Sequence, residues 1–250
     1  ILNDYWLYRY SNGKEGKKLE DGLQVFEEAG ISIYREDKDT PYYWYFSSGF
    51  HSTVHKHADD LSFVLSVDNS DYIVDSGSYN YEEQDPYRKY FRSVFAHNTI
   101  VVDNQSYAIK PYQAGKARIE DYKQTENYSY VVGEHELYPG VVIKRTLIQI
   151  KDGALLLHDE IASNEVHDYH QIFNIGEEIS VNQNSNDILE LSSNVDHTSM
   201  KIIQLYEVVD SSIFEGATNP IRGWQSSKQN SKHPIKSAYF EKRGLSAEFL

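Results

Sequence analysis

Cysteine is absent from this chain, which excludes disulfides and thiolate metal sites and leaves imidazole and carboxylate as the groups that could hold a transition metal. Basic residues are scarce: 24 Lys and Arg against 38 Asp and Glu give a formal charge of −14. Nucleic acid and anionic membranes require a dominant basic field, so neither is expected as a partner. No apolar run approaches the roughly 20 residues that span a bilayer; the longest are Ala154 to Leu157 and the neighbourhood of Ile73. No segment combines a basic start, an apolar run and a small-residue cleavage site. The first residue is Ile rather than Met, so the chain reads as a piece of a longer protein.

Tyrosine is abundant instead, 21 residues against a single methionine. Its ring fits a pleated surface, and its polar tip also suits stacking on sugars. Short segments of strand character follow one another, separated by Gly, Asn and Asp: "YYWYFSSGF" at 42–50, "LSFVLSV" at 61–67 and "YIVDSG" at 72–77, then "NTIVVDNQSY", "YSYVVGEHEL", "VVIKRTLIQIKDG", "ALLLHDEI" and "HQIFNIG". The turn "DNSD" makes 61–77 a hairpin. Val142, Lys144, Thr146, Ile148 and Ile150 alternate with Ile143, Arg145, Leu147 and Gln149 at period two. Such a density of strands without long helical segments predicts an all-β fold, a large antiparallel β-sandwich. "PYRKYFRSVFA" at 86–96 reads as a short helix or an irregular loop. Residues 1–20 read as a linker or the tail of a preceding domain, and 21–250 as one domain.

"HSTVHKHADDLSF" at 51–63 concentrates histidine and acid. On a strand His55 and His57 would share a face, with Asp60 on the other. Asp75 ends the second hairpin strand and His97 stands at the entrance to another. His57, Asp75 and His97 together make a reasonable ligand set for zinc, leaving His55 free for acid–base work or for gripping a carboxylate. Two imidazoles and an acid also fit the facial triad of an iron oxygenase on a cupin-like barrel. A third possibility is a non-catalytic carbohydrate-binding or architectural sandwich.

"HKHADDLSFVLSVDNSDYIVDSGSYNY" followed by "YFRSVFAHNTIVVD" resembles the C-terminal β-sandwich of the heparinase II/III-like polysaccharide lyases. That family carries H-x-H-x-D, then D-x-G, then R-S-x-x-A-H-N-T, and all three stand here in order, mainly within 23–103. The resemblance implies β-elimination in a uronic-acid-containing glycan such as a glycosaminoglycan or alginate, with His55 in the catalytic cleft and zinc on His57, Asp75 and His97. An acidic polysaccharide is the implied partner, and a periplasmic or secreted location follows from such substrates. The family's N-terminal α/α-toroid, which supplies further catalytic groups, has no counterpart in this sequence, so the fragment alone is expected to be inactive.

Of the nearby tyrosines, 79, 81, 87 and 90, Tyr87 and Tyr90 are the acid–base candidates on this resemblance, with packing as the competing role. Arg88, Lys89 and Arg92 form the densest basic cluster; Arg88 and Arg92 are candidates for binding an acidic sugar, against the simpler reading of a solvated face. Trp224 is a candidate sugar platform or a buried anchor.

Overall fold

A computed structural model describes residues 6–8, 10–151 and 153–250. Residues 1–5 and 9 of the expected linker lie outside the described residues. A first antiparallel meander comprises β1 (Gly22–Phe26), β2 (Ile31–Glu36), β3 (Tyr42–Ser47), β4 (Ser62–Val67) and β5 (Ser70–Ile73). Helix α1 (Pro86–Arg92) and β6 (Ile100–Val102) lead into a second meander, β7 (Ala117–Gln124), β8 (Tyr128–Tyr138), β9 (Val141–Ile150) and β10 (Leu155–Ile175). Three strands, β11 (Ile179–Ser185), β12 (Ile188–Ser193) and β13 (Ser199–Ile203), make a small separate sheet. The remainder comprises β14 (Asp210–Glu215), the short pairs β15 (Ala217–Thr218) with β16 (Ile221–Arg222) and β17 (Trp224–Lys228) with β18 (Ser231–Pro234), and β19 (Lys236–Phe249), which pairs with both β10 and β14.

The expected antiparallel sandwich is present. Ile175 at the end of β10 pairs with Ile73 of β5, which joins both meanders into one 12-stranded sheet. The two meanders then face each other. Trp44, Phe46 and Leu65 from one layer and Val131, Ile143 and Leu147 from the other are all at most 2% exposed, and period-two alternation is what puts them inside. The layers pack closely at Gly133, where an added Cβ would lie 2.7 Å from the Phe46 ring and 2.8 Å from Leu61.

The hairpin at 61–77 forms as expected, with Val67 paired to Ser70 around Asp68, whose φ is +55°. At 86–96 the helical alternative prevails. Asp85 caps α1 by accepting a hydrogen bond from the Tyr87 N–H at 2.8 Å, and Pro86 fills the first helical position, where it gives up no needed donor.

One expectation fails. Residues 51–59 are not a strand but a loop between β3 and β4. His55 and Leu61 stand in the left-handed region, at φ +56° and +63°, which no regular strand allows. The period-two argument for His55 and His57 therefore does not apply, and another device has to aim them.

Candidate active site

The β3–β4 loop lies along a cavity of about 740 Å³, whose lining includes His55, His57, Tyr81, Arg88, Arg92 and Gln229. Four chain segments contribute: the loop itself, the stretch after β5, helix α1 and the β17–β18 turn. His55 is exposed, and its ring meets Tyr81 edge to face at 6.0 Å. The Arg88 guanidinium lies 5.1 Å from the centre of the Tyr81 ring and 2.9 Å from Glu83. Arg92 lies 3.7 Å from Glu83 and donates to the Lys56 carbonyl at 3.3 Å. Two guanidiniums therefore border the cavity with a single exposed carboxylate between them.

His57, Asp75 and His97 converge at the edge of the cavity, whose lining includes His57. The His57 and His97 ring centres are 5.5 Å apart, and His97 Nδ1 lies 2.6 Å from Asp75 Oδ2. Burial and the neighbouring His97 push His57 down to about 4, so its imidazole is neutral at pH 7. Burial works against the charged forms of both Asp75 and His97, yet their mutual attraction prevails, lowering the carboxyl and raising the imidazole. Asp75 Oδ1 also accepts the Gly77 N–H at 2.7 Å. Gly77 has φ +79°, and a Cβ there would run into the Ser226 carbonyl, which accounts for the glycine of D-x-G.

Two imidazoles and a carboxylate are a donor set suited to zinc, and His97 Nε2 is buried without a hydrogen-bond partner among the described residues. On both counts the residues fit such an ion. Among the described residues, no group of three His, Asp or Glu side chains is spaced as a metal site as it stands; Asp75 and His97 satisfy each other instead.

The remaining candidates divide. Arg88 and Arg92 line the cavity. Tyr90 does not: it is 4% exposed, with its hydroxyl 3.4 Å from both the main-chain N and O of Trp224. Tyr87 packs edge to face on Trp224 at 5.5 Å, and the Lys232 ammonium sits 3.9 Å from its ring centre. Trp224 donates its indole N–H to the Ala217 carbonyl at 2.9 Å. These three residues hold the β17–β18 hairpin against helix α1 and β15, while Ser226 N–H ties it to the segment after β5 by bonding Ser76 O at 2.9 Å. Tyr81, which sequence reasoning passed over, is the tyrosine beside His55. Pattern could not choose it, because which of four closely spaced tyrosines faces out depends on how an irregular segment bends.

Asn98 of the A-H-N-T element is a clamp rather than a cleft residue. Its side-chain amide donates to Phe63 O and Val74 O at 2.7 and 2.8 Å, and its Oδ1 accepts the Asn174 N–H. Three strands' ends are thereby tied at one buried amide.

The family model for the heparinase II/III-like C-terminal domain matches residues 20–244. Among solved structures, heparan sulfate lyase HepC from Pedobacter heparinus superposes with a TM-score of 0.86 at 18% identity, covering 99% of this chain and 38% of that one. The heparinase III BT4657 gene product gives 0.85 at 17% identity, with coverage of 99% and 38%. A further heparinase III structure gives 0.79 at 17% identity, with coverage of 94% and 37%. The chain thus spans little more than a third of the length of these proteins, and at such identities the likeness shows the fold alone. No curated protein sequence matches the chain. The family match leaves the cupin-like reading without support, and the chain belongs to the heparinase II/III-like family as its C-terminal domain.

Proposed function

We propose that this domain is the sandwich half of a polysaccharide lyase that cleaves uronic-acid-containing chains by β-elimination, an N-terminal α/α-toroid supplying the other half of the cleft. The observation that carries this reading is the grouping of His55, Tyr81, Arg88 and Arg92 on one cavity. In the reaction a base takes the proton from the carbon beside the carboxylate. The electron pair becomes a carbon–carbon double bond as the bond to the leaving sugar oxygen breaks, and an acid returns a proton to that oxygen. His55 is the proton-transfer group of this domain, and Tyr81, rather than Tyr87 or Tyr90, is its phenol. Arg88 and Arg92 offset the charge of the acidic sugar. HepC is named for heparan sulfate, which makes a sulfated glycosaminoglycan the first polymer to try. Such a substrate lies outside the cytoplasm, so the location proposed is periplasmic or secreted.

His57, Asp75 and His97 are proposed to hold zinc. Bound there, the ion would cross-link the loop carrying His55 to the turn after β5 and the approach to β6, a structural service rather than a reaction step. Elemental analysis of protein purified without chelator tests this. Near-stoichiometric zinc is expected in the wild type, with its loss in both His57→Ala and Asp75→Ala; metal-free wild type would contradict the assignment.

A further inference from the structure

The β3–β4 loop has no strand ladder to aim its side chains, yet His55 and His57 both line the cavity. The residue between them points the other way. Lys56 Nζ lies 2.5 Å from Asp59 Oδ1, 3.0 Å from Asp60 Oδ2 and 3.4 Å from the Gly49 carbonyl. It also lies 5.4 Å from the centre of the Phe50 ring. Asp60 is fully buried. Its Oδ1 accepts the Gly49 N–H at 3.2 Å and its Oδ2 accepts the Tyr107 hydroxyl hydrogen at 2.8 Å. The same hydroxyl oxygen accepts the Asp60 N–H at 3.1 Å, while the Asp60 carbonyl accepts from Thr99 Oγ1 at 2.8 Å. Every polar group of Asp60 is thus engaged, on segments before the loop, within it and on either side of β6. Tyr107 is itself fixed, packing edge to face on Tyr138 of β8 at 5.3 Å and lying 5.7 Å from the His135 ring.

We propose that Lys56, Asp60 and Tyr107 form a buried clamp that draws the middle of the H-x-H triplet inward and so turns His55 and His57 onto the cavity. They are positioning residues, and their part in turnover rests on the reading of His55 given above. An ammonium drawn inward fixes the backbone on both sides of it. Because the pair is buried and its carboxylate is engaged at both oxygens, the loop has little freedom to rotate. A displacement of about 1 Å at a proton-transfer group costs on the order of 10²-fold in rate.

The test uses the full-length chain with ¹³C-labelled histidine rings. Lys56→Met strands the Asp60 carboxylate and is expected to lower thermal stability. The double variant Lys56→Met/Asp60→Asn removes both charges while keeping an oxygen to accept from Gly49 and placing an amide N–H against the Tyr107 hydroxyl oxygen, which can accept it, so it is expected to regain much of that stability. Its kcat is nevertheless expected to stay roughly 10²-fold low with KM little changed, and the His55 and His57 ring signals to shift or broaden while those of His167 and His170 hold. Tyr107→Phe, a milder change, should move the same signals less. Unmoved His55 and His57 signals in the double variant would overturn the clamp whatever the turnover. Moved signals with wild-type kcat would overturn its role in the reaction. Absence of elimination by the wild type would overturn the reading of His55 instead, and the ring signals would still decide whether the clamp exists.

Discussion

Replacing His55 with asparagine in the full-length chain is expected to lower kcat for eliminative cleavage by roughly 10²- to 10⁴-fold, the contribution typical of a positioned acid–base group. Asparagine is the informative choice because His55 holds φ +56°, a conformation asparagine adopts at less cost than alanine. The loop should therefore keep its path, and the loss should be chemical. His55 is exposed, so stability should change by no more than about 0.5 kcal/mol. Turnover equal to wild type would remove His55 from the mechanism and favour a sandwich that binds sugar without acting on it.

Arg145→Met is expected to have the largest effect on stability. Arg145 and Asp159 are both fully buried and paired through two contacts, at 2.6 and 2.8 Å. The guanidinium also donates to the carbonyls of Leu61 and Asn98, and Gln171 donates to Asp159 at 2.7 Å. Truncating one partner leaves an uncompensated buried charge, which costs roughly 3–5 kcal/mol. It would also free the Leu61 carbonyl at the end of the β3–β4 loop, so eliminative turnover should fall with stability if His55 acts as proposed. Hydrogen-exchange protection across β9 and β10 in the full-length chain reads the effect. A change below about 1 kcal/mol would contradict this, because it would mean that Asp159 is not left as an uncompensated buried charge. Replacing both partners by apolar residues of similar volume should recover much of the loss.

The contrast between these two residues shows what the sequence made legible. Strand alternation in β8 and β9 reported the sandwich directly, because a half-buried strand must alternate. The same alternation placed Arg145 beside Ile143 and Leu147 on the odd-numbered positions, yet nothing nearby announced a buried cation, since its partner Asp159 lies across the β9–β10 ladder. The motif residues His57, Asp75 and His97 were legible as a group and do converge, although the strand geometry used to bring His55 and His57 together was wrong. Side-chain periodicity has no purchase on a loop fixed by tertiary contacts. Tyr107 and Gln229 belong to the site region only because the chain returns there, 47 residues after Asp60 in the first case, and no local pattern encodes such a return. Tyr90 and Trp224 were ambiguous between cleft and core for the same reason, aromatic character being common to both settings.

The most direct test of the account is to incubate the full-length chain with heparan sulfate and with unsulfated uronate polymers, and to determine the chemistry of the new chain ends. Elimination predicts fragments whose masses sum to that of the parent polymer, one of each new pair carrying an unsaturated uronate that absorbs in the ultraviolet. Fragments that together gain one water per cut, or no cleavage of any uronate polymer, would contradict it.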